Sequence, residues 1–187
     1  MQCLAAPFAV QVGDTRIALD TPIGFADSSF TGSPRLQELA ESQTSPSNKV
    51  LVFAISDGDL RRFMVGDTPE FRRYMVVVTP RALEHERMSP AAFRELAAAA
   101  KREAARGEFA ELRADSEVYS TQMRTVLPPA RRGGDPQEVL VTRSLMHVRG
   151  KALDLAIYSI HESPADLEWI RSTTLRWIED LQRLNAR

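Results

Sequence analysis

Ser56-Asp57-Gly58-Asp59 sets two carboxylates around a glycine, which is how a calcium-binding loop begins. Such a loop needs further oxygen donors and a bidentate glutamate about twelve residues from its start. The residues that follow, Leu60-Arg61-Arg62-Phe63, supply none. The stretch fits a helix start better, with Ser56 as the cap and Asp57 and Asp59 at the positive end of the helix dipole. The chain has three histidines. His85, in Leu83-Glu84-His85-Glu86-Arg87, lacks the second histidine of a helical zinc motif and reads as an exposed polar position. His147 falls inside a strand, opposite in phase to Met146, and faces either a pocket or solvent. His161 ends a strand beside Glu162, just before a helix start, a place where α/β folds often bind ligands. With Arg143 nearby, His161 and His147 form the candidate ligand-binding set, suited to a small anionic ligand or an acid–base site at the strand ends.

Other chemistries find little support. There is no Gly-x-Ser-x-Gly elbow, phosphate-cradling glycine loop or dinucleotide fingerprint, so no cofactor is expected. Cys3 is the single cysteine, which rules out a disulfide within the chain and a cysteine-based zinc site. Cys–His catalysis could use only this residue, at a terminus expected to fray. Glu108 and Glu111 have helix-surface spacing. No catalytic residue or metal ligand is assigned, and the reading leans away from an enzyme.

The elements that must position these residues come from a chain of 187 residues, the size of one ordinary domain. A chain of that length buries roughly 70% of its unfolded surface and needs no staple. It is 43% hydrophobic and 26% charged, a globular composition. No apolar run approaches the ~20 residues of a spanning helix, so a water-soluble domain is expected. The 24 basic and 25 acidic residues nearly cancel, and arginine dominates, the lysines being Lys49, Lys101 and Lys151. Arg61-Arg62, Arg72-Arg73 and Arg131-Arg132 each lie near acids (Asp57, Asp59, Glu70, Asp135), which argues against nucleic acid, whose binding rests on net phosphate neutralisation.

Phe8–Val12 and Arg16–Leu19 read as a hairpin turned by Gly13-Asp14-Thr15. Thr21-Pro22-Ile23-Gly24-Phe25 then leaves the sheet. Ser33-Pro34, Ser89-Pro90 and Ser163-Pro164 each pair a capping serine with a proline at the first helical position. They predict helices over 34–43, 90–106 and 164–184. Ser163 with Asp166 comes close to a capping box. The second helix turns Phe93, Leu96, Ala97 and Ala100 to one side. The third carries Leu167, Ile170, Thr174, Trp177, Ile178, Leu181 and Leu184 at three- and four-residue steps. Val50–Ile55 and Tyr74–Thr79 are continuous branched runs, expected as central strands covered on both faces. Glu138–Val148 meets Leu153–Ile160 through the two-residue turn Arg149-Gly150. Leu127–Pro136 reads as an exposed loop. Trp169, Trp177, Tyr158 and Phe109 read as packing residues, with Trp169 off the apolar face of its helix and free to cover a strand edge or meet a partner. The result is a single α/β domain over residues 1–187. It carries a largely antiparallel or mixed sheet with helices packed on it.

Val148-Arg-Gly-Lys-Ala-Leu-Asp-Leu-Ala-Ile-Tyr-Ser159, Ser163-Pro-Ala-Asp-Leu-Glu-Trp169, Thr174-Leu-Arg-Trp177 and Leu19-Asp-Thr-Pro-Ile-Gly-Phe-Ala-Asp27 resemble exported proteobacterial proteins of unknown function. The element order is similar to the PsbP-like α/β/α sandwich. That resemblance implies a non-catalytic accessory or partner-binding protein exported to the periplasm, with a protein partner in the cell envelope. It carries over no catalytic residue. Leu4-Ala-Ala-Pro-Phe-Ala9 is similar to the tail of a signal peptide, without its basic region and apolar core, so the chain begins near a cleavage site or with a short first strand; a cytoplasmic location is the alternative. An inhibitor or immunity-type partner fits the same size and neutrality.

Overall fold

The computed structural model describes residues 7–107, 109–127 and 136–186. Cys3, half of the signal-like stretch, Glu108, the arginine pair Arg131-Arg132 and nearly all of the Leu127–Pro136 loop lie outside them.

A two-stranded ribbon, β1 (Phe8–Val12) and β2 (Thr15–Leu19), opens the chain. A short strand β3 (Phe25–Asp27), a 3₁₀ turn at Ser28–Thr31 and helix α1 (Pro34–Ser42) follow. Then come β4 (Asn48–Ser56), α2 (Asp57–Met64), β5 (Arg73–Pro80) and α3 (Pro90–Ala104). The second half is β6 (Phe109–Ala114), β7 (Val118–Leu127), β8 (Gln137–Val148), β9 (Lys151–Ile160) and α4 (Pro164–Asn185). The main sheet has seven strands in the order β3-β4-β5-β9-β8-β7-β6, and every neighbouring pair is antiparallel. The expected mixed α/β class and the antiparallel sheet are therefore present.

Two hydrophobic clusters sandwich this sheet. On one face Leu140, Met146, Leu153, Leu155 and Ile157 meet Ile170, Trp177, Ile178 and Leu181 of α4, with Ile17 and Leu19 of the ribbon alongside. On the other, Leu36 and Ala40 of α1 and Leu60 and Phe63 of α2 pack on Phe53, Ile55, Val76 and Val78. Except for Leu51 and Val52 at the bulge, consecutive apolar residues of β4 and β5 belong to opposite clusters, which is why their sequences are apolar without alternation. Helix α3 rests on the second face by the fully buried Phe93.

Under α4 the core is partly polar. The Thr142 hydroxyl donates to Thr174 Oγ1 at 2.7 Å, and Thr174 donates to the Ile170 carbonyl at 2.7 Å. Ser120 and Ser144 bond at 2.7 Å, and Arg171 Nε donates to Gln122 Oε1 at 2.7 Å. These pairings admit β7 to the core despite its Ser-Thr-Gln centre. The β6–β7 hairpin was not expected from the sequence. Its outer strand, Phe-Ala-Glu-Leu-Arg-Ala, is largely exposed and has a bulge between Glu111 and Arg113. Strand β3 also corrects the expectation that residues 21–25 leave the sheet, since Phe25 pairs with Ser56.

The Arg149-Gly150 turn takes φ of 51° and 80°, the left-handed pair of a type I′ hairpin, which matches the twist of the flanking strands. Next to it, Lys151 is 1% exposed, with Nζ donating to Glu84 O and Glu86 O at 3.0 Å each and 3.1 Å from Asp14 Oδ1. This ammonium joins the ribbon turn, the loop before α3 and the β8–β9 hairpin.

Candidate functional site

The structure spreads the three sequence-chosen ligand residues along β8. Arg143 stands mid-strand on the face opposite α4, ion-paired with Asp154 of β9, whose negative charge pushes the guanidinium pKa above its usual value. His147 lies four residues on, about 13 Å away along the strand. Its Nε2 donates to the Met88 carbonyl at 3.0 Å and its ring stacks on Phe93, with centroids 5.4 Å apart. It is neither a pocket residue nor solvent-facing: it seats α3 on the sheet. His161 follows β9 at the opposite end, where its backbone N–H donates to Glu138 O at 2.8 Å. Nine residues of β8 separate Glu138 from His147, about 30 Å in extended chain. His161 Nδ1 is 2.9 Å from Glu138 Oε2, and Arg124 donates to the other oxygen at 3.0 Å. The His161 hydrogen bond, seconded by Arg124, holds the Glu138 carboxyl below its ordinary pKa. His85 is exposed. No cleft gathers His147, His161 and Arg143.

The strand ends do carry an arginine cluster, but it uses different residues. Arg62, Arg72 and Arg73 border a depression of about 410 Å³ with Ser56, Asp59, Glu70 and Asp166. Each guanidinium already has a carboxylate: Arg62 with Glu70 at 2.5 Å, Arg72 with Glu162, Arg73 with Asp166 at 2.8 Å. Asp166 also accepts from the backbone N–H groups of Glu162 and Ser163. The Arg73 guanidinium first, then these donors, bring its pKa down to about 2. Arg73 lies 3.9 Å from the Trp169 ring centroid, and Trp169 sits 6.0 Å from Phe25 of β3, so this off-face tryptophan covers an edge strand. The calcium-loop residues behave as caps: Ser56 Oγ accepts from Asp59 N at 3.0 Å, and buried Asp59 accepts from Glu70 N at 2.7 Å. Among the described residues no group of three or more His, Cys, Asp or Glu side chains could hold a metal ion. None of the described helices is long and apolar enough to cross a membrane.

A larger space lies elsewhere, in an open groove of about 620 Å³ beside β4. Val50, Leu51, Val52 and Phe53 form its floor. Ser28, Ser29 and Gly32 close one end, Pro46 and Arg81 the other, and α1 walls one side through Gln37, Ala40 and Glu41. The groove exists because β3 has three residues and β4 nine. β3 pairs only with Ala54, Ile55 and Ser56, so β4 from Asn48 to Phe53 has no strand outside it among the described residues. Sequence reasoning missed this site because no residue type marks it. The one available signal was the shortness of the extended segment between Gly24 and Ser28.

Comparison with protein-family models and with curated proteins gives no match. Among solved structures, the chain is similar to the Ran-binding protein Mog1p of Saccharomyces cerevisiae at 11% identity and a TM-score of 0.42, over 98% of this chain and 94% of that one. A point mutant of Mog1 gives 11% identity and 0.42 over 97% and 94%.

Proposed function

We propose that this chain is a non-catalytic accessory module that binds a protein partner in the cell envelope. The observation that carries the reading is the groove beside β4: open, apolar along its floor, hydroxyl- and amide-rich along its walls, and bounded by a sheet edge. Small-molecule sites are typically concave and mostly enclosed. A long, open trough on a strand edge suits a polypeptide instead. The periplasm is the proposed compartment, supported by the signal-like Leu4–Ala9 and by the resemblance of the C-terminal third to exported proteobacterial proteins.

In-cell crosslinking of the tagged full-length protein in its native host, with envelope and cytoplasmic fractions kept apart, tests both parts. A single reproducible envelope partner is expected. Recovery of the protein without a partner would overturn the binding reading, and recovery from the cytoplasmic fraction alone would overturn the compartment.

A further inference from the structure

The free edge of β4 is built to accept one more strand, and we propose that the partner contributes it as a short extended peptide laid between β4 and α1. This rests on the partner-binding reading and specifies how the partner is held.

The first observation is backbone chemistry. A strand edge presents a row of N–H and C=O groups that natural proteins cover or guard. Here the chain covers only part of it. Where β3 stops, the buried carboxylate of Asp27 takes over, accepting from Phe53 N at 3.2 Å as the carbonyl of a neighbouring strand would. Asp27 is held in that place by capping the 3₁₀ turn, accepting from Ser29 N at 3.2 Å. Phe53 therefore directs its N–H away from β5 toward the open side of β4, where Asp27 already caps it. Beyond Asp27 no strand follows along Val52, Leu51, Val50 and Lys49. An occupant that satisfies such an edge must itself be a polypeptide in extended form, since only that chemistry repeats donors and acceptors at strand spacing.

The usual guards are turned to other uses. Lysine on an edge commonly repels added strands, but Lys49 is drawn away to Glu84 Oε1 at 2.5 Å and Gln11 O at 3.2 Å. The register slip between Val50 and Val52 does interrupt the edge. A bulge of this kind bars long flat pairing, so the added segment is short, about four to six residues. The walls specify its character. Ala40 and the valines leave room for small or branched side chains on one row. At the Pro46 end Arg81 donates through Nε to Pro46 O at 3.2 Å and has no carboxylate partner among the described residues. An acidic residue on the peptide belongs there.

A phage-displayed library of random nonapeptides, selected on the full-length chain, tests this. Enriched peptides should carry branched residues and an acid, and should slow hydrogen exchange at Lys49–Val52. Gln37→Trp places an indole in the groove from the exposed side of α1, where folding is undisturbed, and should weaken those peptides by about tenfold or more. Arg81→Glu should weaken them independently. Failure to enrich any peptide over a control surface overturns the proposal. So do peptides that bind Gln37→Trp as well as wild type, or that leave exchange at β4 unchanged. Concentration-dependent protection of β4 without peptide, with a doubling of mass in light scattering, would assign the edge to a second copy of this chain instead. An envelope partner crosslinked equally by wild type and Gln37→Trp would leave the partner-binding reading in place and end strand addition.

Discussion

The side chain of Asn185 pairs with the backbone of Ala18 in both directions: Nδ2 donates to the Ala18 carbonyl at 2.8 Å, and Oδ1 accepts from the Ala18 N–H at 3.0 Å. The last residue of α4 thus stands in for a strand beside β2 and fastens the ribbon to the sandwich, helped by Trp177 Nε1, which donates to Asp20 O at 2.8 Å. Asn185→Ala should destabilise the protein by about 1–2 kcal/mol in urea titration. It should also raise hydrogen exchange at Ala18 above that in β9. Unchanged exchange at Ala18 would mean that apolar packing alone holds the ribbon.

Lys151 is a buried cation surrounded by carbonyl oxygens, so its removal strands several acceptors together. Lys151→Met should cost about 2–4 kcal/mol. Gly13→Ala strikes the same junction from the other side: its φ is +56° and an added Cβ would fall 2.3 Å from Glu84 O. Because both changes displace the Glu84 loop, their combined cost should be clearly less than the sum, as residues sharing partners rarely add. Additive effects would show that the loop relaxes at each site separately.

The Thr142–Thr174 bond allows a cleaner test of buried polarity. Thr174→Val leaves the Thr142 hydroxyl without its acceptor and should cost about 1–3 kcal/mol. The double change Thr142→Val, Thr174→Val replaces both partners with groups of the same shape and should recover most of that loss. Chemical denaturation of the three variants measures it. A double variant worse than either single would indicate that hydroxyl geometry, not mere satisfaction, holds α4 on β8.

Asp166 sets a pH dependence. Folding lowers its pKa from 3.8 to about 2, chiefly through the Arg73 hydrogen bond, so the unfolded chain binds this proton more tightly than the native one. The resulting stabilisation is complete above about pH 4 and is lost as the pH falls toward 2. The urea midpoint of wild type should drop across that window, and Asp166→Asn should show a shallower drop from a lower plateau at pH 7. Parallel curves would place the acid sensitivity on other carboxylates.

Much of the architecture was legible where backbone logic is local. The Ser-Pro pairs at 33–34, 89–90 and 163–164 each start a helix, and the α4 stripe from Ile170 to Leu181 is buried as its spacing requires. The β4, β5, β8 and β9 runs, with the Arg149-Gly150 turn, were equally plain. Strand β7 was not, because Ser120, Thr121 and Gln122 are buried, and for Ser120 and Gln122 the partners that make this tolerable, Ser144 and Arg171, lie far along the chain. The three candidate ligand residues are not brought together, for a related reason. His147 and His161 were chosen for what their rings can do, yet each is engaged locally, by Met88 and by Glu138. The groove depends on a mismatch of strand lengths, a property of topology that no residue in β4 announces.

One of the two longest pairings in the sheet is also among its most local. β8 and β9, joined by two residues, pair from Val148 with Lys151 out to Val139 with Ile160, and they lie between β5 and β7. Closing so short a loop carries little entropic cost, so this hairpin can form before the sheet exists and present two edges for the rest to find. Docking of β5 on β9 joins Arg73 to Ser159 across most of the second half of the chain, and it is the slow event that remains. Substitutions in the Arg149-Gly150 turn should therefore be felt mainly in the folding rate, and those at the β4 edge mainly in the unfolding rate.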